Sequence, residues 1–300
     1  LSSQQIKWIG QGSIEEDVPT RWLSHFYDPV YNQGFKNIFL TSKDWATNSA
    51  KQTKYALGDK SWQRAIYDYK QGDKKNAFIA LGHILHLIAD ISVPAHVRND
   101  VHIKGDSYEQ FVKLNWSVLE PTLKYNYKKV SDLSSVFDDL ANYTNNNFYS
   151  DDTIESVKYE KVKIIDYDFF TTPKGKLISI AVSKDSFGNK LKLYIFQGGS
   201  DWSGGKKEDK FVGEITILTD YAQHLLPQTI GYSAGVIDLF FREVQKEQDF
   251  ELPENKIGFL GKVNSLFGSV VEQVIAVYHK YFQDDLNTDL VLSKEQSTLQ

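Results

Sequence analysis

The segment 85–96, L-H-L-I-A-D-I-S-V-P-A-H, sets His86, Asp90 and His96 around a helix end. His86 and Asp90 are four residues apart, so on a helix they share one face, and an imidazole and a carboxylate can reach one cation. Pro94 disfavours helical backbone at Val93; the helix is therefore expected to stop near Ser92, and the chain to turn and bring His96 back towards the same pocket. A second cluster follows in H-I-K-G-D-S-Y-E, with His102, Asp106 and Glu109. Imidazole and carboxylate without thiolate suit zinc first, then iron or manganese. A lone buried His or Asp is more often a hydrogen-bonded core residue than a ligand. Here, however, four of the seven histidines fall between His83 and His102, in one apolar helix and the loop after it. Several polar side chains without partners would be costly to bury there, and a cation relieves that cost.

The framework that carries these groups reads as mostly helical. Helical patterns run over about 42–54, 61–71 and 74–92; in the last, Ala77, Phe78, Leu81, Ile84, Leu85 and Ile88 recur at helical spacing, which predicts a central, buried helix. Another helix is expected from near Asp106, carrying Tyr108, Glu109, Phe111 and Val112, and one more over about 132–148. Residues 1–11 read as the tail of a helix ended by Gly10 and Gly12. Residues 13–35 read as a loop whose Glu15, Glu16, Asp17, His25 and Asp28 are possible ligands. Between about 160 and 218 the pattern becomes strand-like in V-K-I-I-D-Y-D-F, L-I-S-I-A-V and L-K-L-Y-I-F, with F-G-N-K as a hairpin signal. A helix is expected from Leu226, with Pro227 near its first turn, and a final amphipathic helix over about 256–284. The expected fold is mainly α, with a small β insertion around 160–218. Residues 1–250 are expected to form one domain, and 251–300 a C-terminal helix and tail.

Composition narrows the function classes. Three hundred residues, 41% of them hydrophobic, can bury one large core or two modest ones. A formal charge of −5 without a dense Lys/Arg block leaves no strong nucleic-acid signature. Zero cysteines remove disulfide partners, thiolate metal sites and cysteine nucleophiles together. No apolar run approaches the ~20 residues of a spanning helix. G-x-S-x-G, H-E-x-x-H, phosphate-binding glycine loops and dinucleotide fingerprints are absent, so the histidine–carboxylate cluster stands alone. The chain opens on Leu1 and has no Met, which reads as a processed or trimmed form. The expectation is a bacterial protein exported to the extracellular space or cell envelope, its signal segment absent from this chain.

The runs G-S-I-E-E-D (12–17), S-H-F-Y-D-P (24–29), A-L-G-H-I-L-H-L-I-A-D-I-S-V-P-A-H (80–96) and S-Y-E-Q-F-V (107–112) together resemble the zinc-dependent phospholipase C family. Its wider superfamily includes the fungal zinc nucleases that cut single strands. The later L-L-P-Q-T-I-G-Y-S-A-G-V-I-D-L-F-F (225–241) looks like the family's closing core helix. The resemblance covers roughly residues 10–112 and 220–245, and implies a mostly helical domain with up to three zinc ions in a cleft.

Carried over residue by residue, Asp17, His25, His86 and Asp90 match the family's first zinc site, and His96 and Glu109 match the second. The family's remaining second-site histidine falls on Gly105 here. His102 is the expected substitute and Asp106 the rival. His102 is seven residues before Glu109, about 10 Å along a continuous helix, so it reaches a shared ion only from a loop, which Gly105 permits. Asp106 shares the helical face of Glu109 but is also a natural N-cap. The third ion of the family is held by an amino-terminal tryptophan and a histidine of the first helix, together with the aspartate matched by Asp90; this chain contains neither of the first two. The resemblance therefore implies two zinc ions, with a third in question. Trp8 is internal and reads as a core residue, His83 as core or as a support for the ligands, and His224 and His279 as structural or exposed.

The activity so implied is a zinc-dependent, phospholipase C-like phosphodiester hydrolysis by metal-activated water, with Asp17 as the catalytic base. Its substrate would be a phospholipid or another phosphodiester, reached through peripheral membrane contact. In choline-selective members an aromatic residue follows the first aspartate; here it is Val18, so choline preference is not implied, although Trp22 matches a second aromatic and offers a cation–π face for substrate binding. Two alternatives stand beside this reading. One is a single-strand nuclease using Trp22, Tyr27 and Tyr31 to stack bases. The other is a metal-stabilised, non-catalytic binding protein whose β insertion is the recognition surface.

Overall fold

Helices begin where a side chain can satisfy the first unpaired amides. The computed structural model describes residues 1–53, 57–101, 105–124, 126–171, 175, 177–196 and 207–246. Ser2 caps α1 (Ser3–Glu16) in a capping box with Gln5. Thr41, Asn48, Ser61 and Asp73 cap α2 (Ser42–Thr47), α3 (Ser49–Gln52), α4 (Trp62–Lys70) and α5 (Lys74–Asp90). The short α6 (Pro94–Val97) opens on Pro94, and Val93 before it is extended, as a residue preceding proline must be. Asp106 caps α7 (Ser107–Leu119), and Asp132 caps α8 (Leu133–Asn147). An antiparallel sheet follows in the order β1 (Asp166–Thr171), β2 (Leu177–Lys184), β3 (Lys190–Phe196), and then the long α9 (Lys207–Val244). The β2–β3 turn is held by Asp185, whose Oδ1 accepts from the amides of Phe187 and Asn189, with Gly188 at φ +86° supplying the left-handed residue.

The protein is mainly α, and its core lies in two clusters. α5 runs through the first with Phe78, Leu81, Ile84, Leu87 and Ile88 fully buried, packed against residues from α2, α4, α8 and α9. A helix apolar on most of its circumference is a buried one, as its pattern predicts. The second cluster joins the inward residues of the sheet, Ile178, Ile180, Leu191 and Leu193, to Tyr108 and Leu119 of α7, to Phe148, and to Tyr221, Ala222 and Leu225 of α9. It fixes the helix that carries Glu109.

α1 crosses α5 with no side chain between the two backbones. A Cβ built on Gly12 would lie 1.9 Å from the Ile79 carbonyl oxygen, and one on Gly82 would lie 2.1 Å from that of Ile9. Each glycine is therefore needed for space. This crossing delivers the last turn of α1, with Glu16, and Asp17 just after it, to the stretch of α5 bearing His83 and His86.

Two expectations are corrected. Gly10 and Gly12 do not end the first helix, which continues to Glu16, because the contact with α5 outweighs a propensity cost of about 1 kcal/mol per glycine; residues 13–16, expected as loop, are thus helical. The last strand among the described residues ends at Phe196 and α9 is already under way at Lys207, so the β insertion does not extend to 218, and Pro227 lies inside the helix rather than at its first turn. The helix expected over 256–284 lies outside the described residues, as do His102 and His279. Among the described residues no helix is long and apolar enough to cross a membrane.

The crossing is testable by size. Gly12→Ala and Gly82→Ala are expected to lower the thermal midpoint through about 1–3 kcal/mol of overpacking. Gly10→Ala, whose Cβ would meet nothing within 4 Å, is expected to be neutral or stabilising by up to about 1 kcal/mol. Thermal unfolding followed by circular dichroism checks this, and equal midpoints for the Gly10 and Gly12 variants would contradict the contact.

Candidate metal centre

Four further chain segments converge on the end of α5. His86 and Asp90 come from its last turns, and Asp17 from the residue that closes α1. His25 follows a 3-10 turn (Arg21–Ser24) and is pinned to α6 by the bond from the Tyr27 amide to the His96 carbonyl, 3.1 Å. His96 sits on α6, its ring stacked on Phe26 at 4.7 Å and 15°. Glu109 is in the first turn of α7.

Asp17, His25 and His86 each offer a ligand atom within 4.8 Å of the others, and so do Asp90, His96 and Glu109. His86 Nε2 is 3.4 Å from Asp17 Oδ1 and 3.3 Å from Asp90 Oδ2. His25 Nδ1 is 2.9 Å from Asp90 Oδ2 and 3.8 Å from Asp17 Oδ1. The other Asp90 oxygen, Oδ1, is 3.8 Å from His96 Nδ1, and His96 Nε2 is 3.4 Å from Glu109 Oε1. Asp90 thus faces both groups, one oxygen to each.

The donor set fits a metal. His86 Nε2 and Asp90 Oδ2 are buried and lack a hydrogen bond although other polar atoms lie within 3.5 Å. The separations of His86 Nε2 from Asp90 Oδ2 and Asp17 Oδ1, 3.3 and 3.4 Å, match the edges of a small coordination shell, since bonds of about 2.0–2.1 Å to a tetrahedral cation imply ligand–ligand edges of about 3.3–3.4 Å; the His25 separations, 2.9 and 3.8 Å, lie to either side. Burial alone would push Asp90 up, but His86, His25 and His96 hold it well below the ordinary carboxylate range. Burial likewise opposes the charging of His86 and His96, yet the carboxylates win: Asp90 and Asp17 hold His86 well above its ordinary value, and Asp90 and Glu109 hold His96 up at about 9. Asp17 is the open member, its side chain 67% exposed against 10% for Asp90.

A second, fully buried cluster lies behind His25. Glu16 accepts from Trp45 Nε1 at 2.8 Å and Arg21 Nε at 2.7 Å, and pairs with His83 Nδ1. Arg21 also donates to the Gly58 carbonyl and to Gln52 Oε1. Burial would raise the Glu16 carboxyl, but His83 and Arg21 hold it below its ordinary value. The sequence offers Glu16 as a possible ligand and His83 as core or support. The two are partners, a pairing whose only sequence trace is an acid beside Asp17 and a histidine three before His86.

The remaining candidates separate. Asp28 is buried and accepts from Lys158 Nζ, the Tyr159 hydroxyl and the amides of Val30 and Tyr31, a structural anchor rather than a ligand. Asp106 uses Oδ1 to cap α7 through the amides of Tyr108 and Glu109. Burial lifts its carboxyl to about 6. Trp22 packs edge-on to Phe35 at 5.9 Å in a small cluster with Leu23 and Phe26. Tyr27 is buried with its hydroxyl on Asp138 and Lys43, so its ring is not available to stack a base; Tyr31 is exposed. His224 donates to the Asp220 carbonyl within α9, and Trp8 stacks on Phe78 at the core edge.

The charges give a pH signature for the metal-stripped protein. His96, held at about 9 in the fold against ~6.5 unfolded, contributes stability that is fully present below ~6.5 and lost as pH rises through about 9. The contribution is of order 3 kcal/mol at most. Urea unfolding after chelation should weaken across that window, and stability flat over it would contradict the assignment.

No protein-family model matches the chain. It is 29% identical over 137 residues to a protein named phospholipase C from Listeria monocytogenes, covering 42% of this chain and 41% of that protein. It is 33% identical over 107 residues to a protein named phospholipase C from Bacillus cereus, covering 36% of this chain and 32% of that one. The matched stretches thus span about a third to two fifths of these relatives' length. Among solved structures, the chain is similar to Clostridium perfringens alpha-toxin from an avian strain, with a TM-score of 0.41 and 17% identity over 82% of this chain and 56% of that one. Clostridium absonum alpha toxin gives a TM-score of 0.37 and 14% identity, over 82% and 57%. By sequence, this chain is a partial relative of the phospholipase C proteins of Listeria and Bacillus.

Proposed function

We propose that the protein is a zinc-dependent phosphodiester hydrolase of the phospholipase C type. The observation that carries this reading is the set of donor atoms from Asp17, His25, His86 and Asp90, spaced at 2.9–3.8 Å at the end of α5, with buried members that make no hydrogen bond. The partial relatives named phospholipase C support the reaction class.

In this reading Asp17, His25, His86 and Asp90 hold one zinc ion, and Asp90, His96 and Glu109 a second. His102 is proposed as the remaining ligand of the second site, with Asp106, whose Oδ1 caps α7 and whose charge bears on His96, as the rival. Zinc at such sites supplies Lewis acidity towards phosphodiester oxygens and a lowered pKa for water. Asp90, buried and held ionised, keeps the imidazoles of the two groups at fixed separation. Asp17, largely exposed with Oδ1 3.4 Å from His86 Nε2, would orient an attacking water and take its proton. Trp22 is proposed to contact substrate. The proposed substrate is a phospholipid met at a membrane surface by an exported protein. The nuclease alternative loses Tyr27 as a stacking platform, and the net charge of −5 works against a nucleic-acid grip.

His86→Ala and Asp90→Asn are expected to abolish hydrolysis, by more than about 100-fold, and to lower bound zinc while the protein stays folded. Elemental analysis gives the metal content, expected to be two zinc ions per wild-type chain. Hydrolysis of phosphatidylcholine vesicles, bis-p-nitrophenyl phosphate and single-stranded DNA gives the activity. Full zinc content in both variants, or cleavage of DNA alone, would contradict the proposal.

A further inference from the structure

We infer that Glu16 is a positioning residue for the first cation site: it holds His25 as the Nε2–H tautomer, so that the Nδ1 lone pair faces Asp17, His86 and Asp90. The inference rests on reading those residues as a zinc site. The two nitrogens of His25 look in opposite directions. Nδ1 is 2.9 Å from Asp90 Oδ2 and 3.8 Å from Asp17 Oδ1. Nε2 is buried, makes no hydrogen bond, and lies 3.8 Å from Glu16 Oε1.

A neutral imidazole carries one proton, and its partner selects which nitrogen bears it. With the proton on Nδ1, that N–H would face Asp90 Oδ2 at 2.9 Å and leave no lone pair for a cation, and the Nε2 lone pair would face a carboxylate across a dry interior, which is repulsive. With the proton on Nε2, the N–H dipole points at the anion and Nδ1 is left as a ligand. Glu16 is fit for this task because it cannot turn away. Trp45 and Arg21 grip its two oxygens, His83 pairs with Oε2, and Arg21 is itself clamped by Gly58 and Gln52. Glu16, already partnered by Arg21, Trp45 and His83, also lies 3.8 Å from the unpartnered nitrogen of His25. It does so from the residue before Asp17, coupling the carboxylate and one candidate ligand through a single peptide unit.

The test compares zinc affinity by chelator competition in the full chain, for wild type, Glu16→Gln and Glu16→Gln/Arg21→Met. The double variant avoids stranding a buried guanidinium. Folding is checked by circular dichroism, and cobalt is substituted for its absorption spectrum. Loss of a ligand's carboxylate partner is expected to weaken zinc binding about 10–100-fold and to change the cobalt spectrum, whereas a folded variant within about threefold of wild type overturns the inference. A wild type that takes up no zinc overturns the site reading itself, a distinguishable failure. If neither variant folds, ring-nitrogen shifts of nitrogen-15-histidine-labelled, zinc-loaded wild type decide. His25 with metal on Nδ1 and the proton on Nε2 supports the inference; the reverse overturns it.

Discussion

The carboxylate of Asp90 is buried among the imidazoles of His86 on its own helix, His96 on α6 and His25 far upstream in the chain. A charge in that position costs several kcal/mol unless it is compensated, and the surrounding architecture reads as the means of compensation. The Pro94 turn folds His96 back over the end of α5, the Tyr27–His96 backbone bond ties the His25 segment to that turn, and the second apolar cluster seats α7 so that Glu109 meets His96. Because His86 Nε2 and Asp90 Oδ2 stand close to other polar atoms without a hydrogen bond, the arrangement has the character of a ligand set as well as of a buried ion-pair network.

Beneath this centre the geometry depends on space as much as on charge. α1 reaches α5 only because Gly12 and Gly82 have no side chains where the other helix's backbone lies. That contact carries Glu16 into the interior and leaves Asp17 at the rim. One acid is therefore shielded and clamped by Arg21 and Trp45, and its neighbour is solvent-facing. The reactive asymmetry proposed for the centre, a fixed charge inside and an available carboxylate outside, arises from one helix end.

Much of the fold was legible in the chain. Apolar periodicity located α4, α5, α7 and α8 to within a few residues, and the F-G-N-K turn placed the β2–β3 hairpin; the single helix expected over 42–54 is split at Asn48 into α2 and α3, and the short α6 was not expected. The misreadings share a cause. Gly10 and Gly12 read locally as helix stops, and Pro227 as a helix start, because propensity describes an isolated segment; packing against α5 carried α1 through its glycines, and α9 runs through its proline. Asp28 read as a possible ligand because its type was right, but Lys158 and Tyr159, some 130 residues away in sequence, claim its oxygens.

The chemistry on offer could be read from the residues alone: imidazoles and carboxylates without thiols, His86 and Asp90 one helical turn apart, and a proline that ends the helix before His96. These follow from covalent geometry and short-range periodicity. Folding settled the rest. It brought Asp17 and His25 to the same point, turned one oxygen of Asp90 to each group, assigned Asp106 to α7 as a cap, and stood Glu16 behind His25. Those relations are ångström-scale distances between residues far apart along the chain, set by how whole helices pack, and no local pattern encodes them.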